Sequence, residues 1–156
     1  MTQKILIAMD DSDNALRSVE LAARTFSTDN SIVLFNVMLD TAALCNMESP
    51  ELIPLFKSQQ SSFCTLEDKK RELVTAAMKR AKDLLLSAGF SEKNVQIKME
   101  NKDKGVARDI LAEAESGYDM IIMGRRGISG LKEFFLGSIS QKVFTGAKDI
   151  SVLIAN

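Results

Sequence analysis

The 156-residue sequence predicts an α/β fold in which an open, mainly parallel sheet is covered by helices on both faces. Continuous apolar runs at Ile5–Met9, Ser31–Met38 and Met120–Met123 are typical of strands that are buried on both faces. Stretches with apolar residues at helical spacing separate these runs. This alternation of strands and helices indicates βαβ units, whose right-handed crossovers allow few topologies.

Two further strands complete the predicted sheet. Apolar and polar residues alternate in Val95–Glu100, which is the pattern of a half-exposed strand, so we expect it at an edge. Ile150–Ala155 is the last apolar run. The continuous runs Ile5–Met9 and Met120–Met123 are expected at the centre of the sheet.

Four helices are predicted between the strands. The first begins at Ser12, whose hydroxyl suits an N-cap because it can accept a hydrogen bond from an amide of the first turn. Asp13 then suits the positive end of the helix dipole. The other apolar stripes lie in Leu66–Ala88, Val106–Ala114 and Ile139–Ala147.

The segment Leu39–Cys64 does not fit this alternation. It contains Pro50, Pro54 and a Ser/Gln cluster at Ser58–Ser62, which are typical of a loop. Loops of this length are usually functional, mobile, or interrupted by a short helix. Glu51–Phe56 is the predicted short helix.

Length and composition exclude several classes of function. The length fits one domain, residues 1–156. Twenty basic and 21 acidic residues give a net charge of −1, which argues against a nucleic-acid partner. The absence of histidine excludes Ser-His, Cys-His and His-metal mechanisms, and we predict no catalytic or metal-binding residue. The longest apolar runs are about a quarter of the roughly 20 residues that span a membrane, so no membrane partner and a cytoplasmic location are expected.

The two cysteines, Cys45 and Cys64, are too few for a disulfide framework or a metal site. We interpret them as free thiols, which indicates a reducing compartment. A single disulfide between them remains the open alternative.

The densest glycine cluster, Met123–Gly130, follows an apolar strand and is itself followed by Gly137 and Ser138 at the start of a helix. Glycines let backbone amides approach a phosphate closely, and a helix N-terminus adds oriented donors. The alternative is a glycine-rich surface loop with structural turns. The sequence matches neither a Walker A loop nor a dinucleotide fingerprint.

Asp10 directly follows the strand Ile5–Met9, and Gly124 directly follows the strand Met120–Met123. In open α/β sheets ligands bind beyond the carboxyl ends of the strands, where the strand order reverses. If these two strands are neighbours, both residues flank one crevice. Asp10 can then accept a hydrogen bond from a ribose hydroxyl or hold a metal near phosphates; its alternative role is that of a turn residue.

The chain resembles a single-domain universal stress protein over nearly all its length. The segments that carry the resemblance are Ile5–Ser12, Asp119–Gly127 and Leu136–Ser140. The ATP-binding branch of that family has Gly, two residues, Gly, nine residues, Gly and Ser or Thr. This pattern is matched by Gly124, Gly127, Gly137 and Ser138.

The resemblance implies a five-stranded sheet of order 3-2-1-4-5, the adenine nucleotide alpha hydrolase-like fold, with ATP and Mg²⁺ as ligands. Adenine would lie near Ala8 and Val37, and Asp10 would face the ribose or adenine. The implied site comprises Ala8, Asp10, Val37, Met123, Gly124, Gly127, Gly137, Ser138, Ile139 and Ser140.

Several of these residues have a structural alternative. Val37 and Met123 can be core residues, and Ser140 can be a hydroxyl on a helix face. Arg125 and Arg126 add positive charge near the phosphates or are simply solvated.

The family usually dimerises through its last strand, so the resemblance implies a homodimer paired through Ile150–Ala155. An exposed apolar edge strand favours such pairing.

Three functions follow. The favoured one is an ATP-binding regulatory protein of the stress response, which acts as a nucleotide-dependent dimeric switch on an unknown protein partner. The first alternative is a slow Mg²⁺-dependent ATPase or phosphotransferase, for which Asp10 is the one candidate group. The second is an interaction module with a degenerate nucleotide site. We expect at most weak ATP hydrolysis.

Overall fold

A computed structural model describes residues 1–48, 54–126 and 136–156. Five parallel strands form one sheet of order β3-β2-β1-β4-β5, which confirms the predicted topology. The strands are β1 (Lys4–Ala8), β2 (Ser31–Met38), β3 (Val95–Asn101), β4 (Met120–Gly124) and β5 (Ser151–Ala155). The helices are α1 (Asp13–Thr25), α2 (Ala42–Cys45), α3 (Pro54–Ser87), α4 (Val106–Ala114) and α5 (Ser138–Gly146).

Two of the three interior strands, β1 and β4, are buried on both faces, as their continuous apolar runs predict. Ile5, Leu6 and Ile7 of β1 and Ile121 and Ile122 of β4 are fully inaccessible to solvent. Side chains alternate across a strand, so these residues supply two separate cores. The helices α1 and α3 cover one core, and α4 and α5 cover the other.

The edges also match the prediction, since β3 and β5 are the outermost strands. In β3 Val95 is buried and Gln96 is exposed, as the alternating pattern predicts. Ile97 departs from this pattern, because 41 % of it is exposed. The first helix begins as expected, because Ser12 Oγ accepts a hydrogen bond from the Ala15 amide at 3.2 Å. No helix in the described ranges is long and apolar enough to cross a membrane.

The long helix α3 differs from the prediction. It begins at Pro54, so much of the segment interpreted as a loop is helical. Of the predicted short helix Glu51–Phe56, residues 51–53 lie outside the described residues, and the rest belongs to α3.

The cysteines form a disulfide between α2 and α3, with Cα atoms 5.9 Å apart. The interpretation of Cys45 and Cys64 as free thiols is therefore wrong, and the open alternative is the one observed. The separation of 19 residues does not by itself predict a disulfide. The two side chains meet because α3 extends towards its N-terminus beyond Cys64, which places this cysteine beside α2.

A polar cluster joins β3 to α4. Glu113 accepts hydrogen bonds from Lys98 Nζ and from the Tyr118 hydroxyl, each at 2.7 Å. Burial works to raise the pKa of Glu113, but the bonds from Lys98 and Tyr118 outweigh it and leave that pKa below its ordinary value. The same bond from Lys98 raises the pKa of the lysine.

Candidate functional site

A cavity of about 260 Å³ lies at the carboxyl ends of β1, β2 and β4. The strand order reverses here, because β2 and β4 lie on opposite sides of β1. Ligands of open α/β sheets bind at this position. Nine of the ten residues predicted for the site line this cavity, and Gly127 lies outside the described residues. The nine are Ala8, Asp10, Val37, Met123, Gly124, Gly137, Ser138, Ile139 and Ser140.

Asp10 lies in a turn between β1 and α1. Its Oδ1 accepts a hydrogen bond from the Ser12 amide at 2.8 Å, so the turn role named as its alternative is present. Asp10 also lines the cavity, and a carboxylate oxygen can accept more than one hydrogen bond. The turn therefore fixes an acceptor at the cavity wall.

The N-terminus of α5 supplies donors to the same cavity. Gly137 is the N-cap, and its carbonyl accepts the first helical hydrogen bond, from the Gln141 amide at 2.8 Å. The amides of Ser138, Ile139 and Ser140 therefore precede the first intrahelical donor of α5. All three residues line the cavity, and the positive end of the helix dipole lies with them.

Gly124, at the end of β4, contacts both α1 and α5. Its carbonyl accepts a hydrogen bond from Ser140 Oγ at 2.8 Å, within a buried region. The one hydroxyl hydrogen of Ser140 is used in this bond, so its side chain has none to donate to a phosphate. On its other side Gly124 lies against Asn14, so closely that a Cβ would have no space. The turn at Asp10 and the start of α5 are thereby held around one strand end.

The structure adds residues that the sequence did not single out. Asn36 lines the cavity and is 93 % buried, and its Nδ2 donates to the Met9 carbonyl at 2.6 Å. Asn36 could have been singled out from the sequence, because it is a polar residue within the otherwise apolar strand β2. Asp11, Glu67 and Lys70 also line the cavity, and no sequence pattern placed α3 at this edge.

The two arginines after β4 are half-buried rather than fully solvated, and Arg126 lines the cavity. Together with Lys70 it supplies two positive charges to the described lining. The lining also carries three carboxylates, those of Asp10, Asp11 and Glu67. Among the described residues, no group of three or more His, Cys, Asp or Glu side chains is arranged to hold a metal ion.

Comparison with known proteins identifies the family. The model of the universal stress protein family matches residues 1–155. The chain is 31 % identical over 144 residues to universal stress protein YxiE of Bacillus subtilis, and the match covers 92 % of each chain. The chain therefore belongs to the universal stress protein family.

Solved structures agree on the fold. One is a universal stress protein in complex with cAMP, with a TM-score of 0.64, 18 % identity and coverage of 99 % of this chain and 97 % of that one. Another is a universal stress protein family protein of Arabidopsis thaliana with AMP bound, with a TM-score of 0.58 and 15 % identity. That match covers 99 % of this chain and 92 % of the Arabidopsis chain.

Proposed function

We propose that the cavity binds an adenine nucleotide, ATP together with Mg²⁺, and that the chain is a nucleotide-dependent, dimeric regulatory protein of the cytoplasmic stress response. One observation carries this proposal: the free amides of the α5 N-terminus, the Asp10 carboxylate and an apolar wall meet in a single cavity. Members of the same fold that were solved with cAMP and AMP support an adenine nucleotide as the class of ligand.

The apolar part of the cavity suits the base. Ala8, Val37 and Met123 lie at the ends of three neighbouring strands, and Val106 and Ile110 of α4 add to the same lining. A planar base binds such a surface by removing apolar area from water. Strand ends also offer backbone amide and carbonyl groups, which can form hydrogen bonds with the edge of adenine.

The α5 N-terminus suits the phosphates. Oriented amides and the positive end of a helix dipole together form an anion site without a basic surface. This explains how a chain with a net charge of −1 can hold a polyanion. Lys70 and Arg126 add charge at the same cavity.

The charges at the cavity support Mg²⁺ as the companion of ATP. Three carboxylates and two basic groups leave the described lining with one excess negative charge. The phosphates of ATP would add to it, and a divalent cation that travels with the phosphates offsets this repulsion. AMP and cAMP carry less charge and should depend less on the cation.

Binding rather than turnover is proposed because the groups that commonly perform hydrolysis are missing from the sequence. The chain has no histidine and no Walker lysine motif. Asp10, the group that the sequence offered for an ATPase, holds its own turn by accepting a hydrogen bond from the Ser12 amide. A site of this kind can hold ATP long enough for a partner to recognise the bound state.

The proposed dimer uses the free edge of β5. Among the described residues this strand pairs only with β4, and Val152, Leu153 and Ile154 are half-buried. An apolar edge strand with unpaired backbone groups favours pairing with a second copy. Nucleotide binding next to β4 could then change how two copies pair.

The phosphate assignment is tested with Ser138→Pro. Ser138 is the first residue of α5, where proline is tolerated, and the N-cap backbone at φ −63° and ψ 155° suits a following proline. The substitution therefore removes one amide donor while the helix stays. Ser138→Ala is the matched control, because it removes the hydroxyl and keeps the amide.

Calorimetric titration with ATP and Mg²⁺ is expected to show Ser138→Pro about tenfold weaker than wild type, in line with one hydrogen bond to a charged group. Ser138→Ala should lose less. Equal affinity of all three proteins would remove the helix N-terminus from the phosphate site. Absence of binding at millimolar ATP would refute the proposed function, and multiple-turnover ADP formation would favour the enzyme instead.

A further inference from the structure

The helix α3 has two different halves. Val74, Met78, Ala81 and Leu85 of its second half are buried at alternating four- and three-residue spacing and anchor it on the sheet. The first half, Pro54–Leu73, is about 30 Å long at about 1.5 Å per residue and contains no buried residue. Its partly buried residues are Gln60, Phe63, Cys64 and Glu67, and they continue the face that the second half buries.

That face contacts α2. Cys64 is bonded to Cys45 at the end of α2, and Gln60 Nε2 donates to the carbonyl of Met47 at 3.1 Å and also to that of Leu44. The helix α2 has no buried residue of its own. We refer to α2 and Pro54–Leu73 as the rim helices. Because neither is anchored in a core, each depends on the other for its position.

The rim helices lie next to the candidate site. Glu67 and Lys70 follow Cys64 by three and six residues in α3, and both line the cavity. On the other side of the disulfide, Leu39 lines the cavity three residues before α2 begins. The bond between Cys45 and Cys64 therefore joins two segments that both contribute to the cavity wall.

We propose that the Cys45–Cys64 disulfide is a redox switch that controls how tightly the cavity holds its ligand; the identity of that ligand rests on the proposed function. A dithiol reductant cleaves the Sγ–Sγ bond by thiol–disulfide exchange. The reductant loses two electrons and two protons and becomes a disulfide, and Cys45 and Cys64 each become a thiol. Both side chains are partly exposed to solvent, so a dithiol can reach the bond.

Reduction is expected to loosen the rim helices. A helix segment without tertiary packing is marginally stable in water, so Pro54–Leu73 would fray once its covalent link to α2 is cut and only the hydrogen bonds of Gln60 remain. Glu67 and Lys70 would then no longer be held at the cavity. Nucleotide binding would have to order them again, and affinity would fall about 5- to 20-fold, within the usual range of coupling between two sites.

The experiment uses the full chain in three forms: wild type oxidised by glutathione disulfide, wild type reduced by dithiothreitol, and Cys45→Ser/Cys64→Ser. Mass spectrometry first establishes the thiol state. Hydrogen exchange of residues 54–70 is then measured without nucleotide, and ATP affinity is measured with Mg²⁺. The double variant is the matched control, because it should behave like the reduced protein with and without reductant.

Support for the switch is faster exchange at 54–70 by about tenfold or more on reduction, which is the signature of local opening, together with weaker ATP binding. Two outcomes overturn it: thiols that stay free under oxidising conditions, or an ATP affinity that is equal before and after cleavage, whatever the exchange at 54–70. A chain that binds no ATP in either state, yet exchanges faster at 54–70 when reduced, would refute the proposed function and support the redox response of the rim helices.

Discussion

A Cβ atom placed on Gly124 would lie 2.9 Å from the backbone carbonyl carbon and oxygen of Asn14. Real Cβ atoms do not approach backbone this closely, so the first turn of α1 can pack on the end of β4 only because residue 124 is glycine. The glycine that opens the phosphate-loop pattern thus has a packing requirement that is independent of any ligand.

Gly124→Ala should therefore lower stability. We expect a loss of about 1–3 kcal/mol in the free energy of unfolding, the usual cost of overpacking, measured by urea denaturation. Gly146→Ala is the control, since its added Cβ would meet only the end of the Leu111 side chain, at 2.7 Å, and that side chain can move. Equal losses in the two variants would contradict the argument from Asn14.

Asp10→Asn should weaken nucleotide binding while the fold is kept. Asparagine retains an oxygen that can accept the hydrogen bond from the Ser12 amide, so the turn should persist. What is lost is the charge of the acceptor, and we expect affinity for ATP to fall about tenfold. Asp13→Asn makes the same charge change at an exposed position of α1 and should leave affinity unchanged in calorimetry.

Tyr118 provides a pH-dependent test of the cluster at β3 and α4. Burial raises the pKa of its hydroxyl, and the hydrogen bond that it donates to Glu113 raises it further. A pKa raised by folding stabilises the protein below the ordinary value of about 10, and that contribution is lost as the pH rises beyond it. Stability should therefore fall at alkaline pH.

Because the chain has one tyrosine and no tryptophan, phenolate absorbance reports on Tyr118 alone. Its titration midpoint is expected clearly above 10 in the folded protein. Glu113→Gln should lower that midpoint, since the charged acceptor is gone. A midpoint near 10 in wild type would show that the hydroxyl is neither buried nor bonded as described.

The dimer is tested by a proline at the free edge of β5. The Ala155 carbonyl accepts from the Arg125 amide, so the backbone groups of Ala155 point towards β4. Since these directions alternate along a strand, those of Val152 point to the free edge. Val152→Pro should remove a donor needed for pairing between copies and keep the ladder with β4.

Light scattering should give twice the 17.2 kDa chain mass for wild type and the single chain mass for Val152→Pro. Val152→Ala keeps the amide and serves as the control. A monomeric wild type at micromolar concentration would refute the dimer, and a dimeric Val152→Pro would place the contact elsewhere.

Much of the fold could be read from apolar periodicity. The structure confirms the strands that were predicted at Ile5–Met9, Met120–Met123 and Val95–Glu100. They could be predicted because a strand buried on both faces is continuously apolar, whereas a strand buried on one face alternates apolar and polar residues. The start of α3 could not be read in this way. Pro54–Leu73 contains no buried residue and only four partly buried ones, so no continuous apolar stripe precedes Leu66, and its serines and glutamines resemble those of a loop.

The candidate site divides in a similar way. Residues at strand ends, such as Asp10 and Gly124, were predicted to share a crevice because parallel strands end at one edge. Glu67 and Lys70 were not found, because their place depends on how far α3 extends past the sheet. The roles of individual residues towards a nucleotide stay predictions.

The anchoring of α3 by only its second half has a consequence for how this chain can change over time. Substitutions in Val74, Met78, Ala81 or Leu85 create cavities in the core and are expected to be costly. Substitutions on the solvent side of Pro54–Leu73 affect no core and should be nearly neutral for folding. The first half of this helix is therefore expected to tolerate sequence change at little cost to the stability of the sheet.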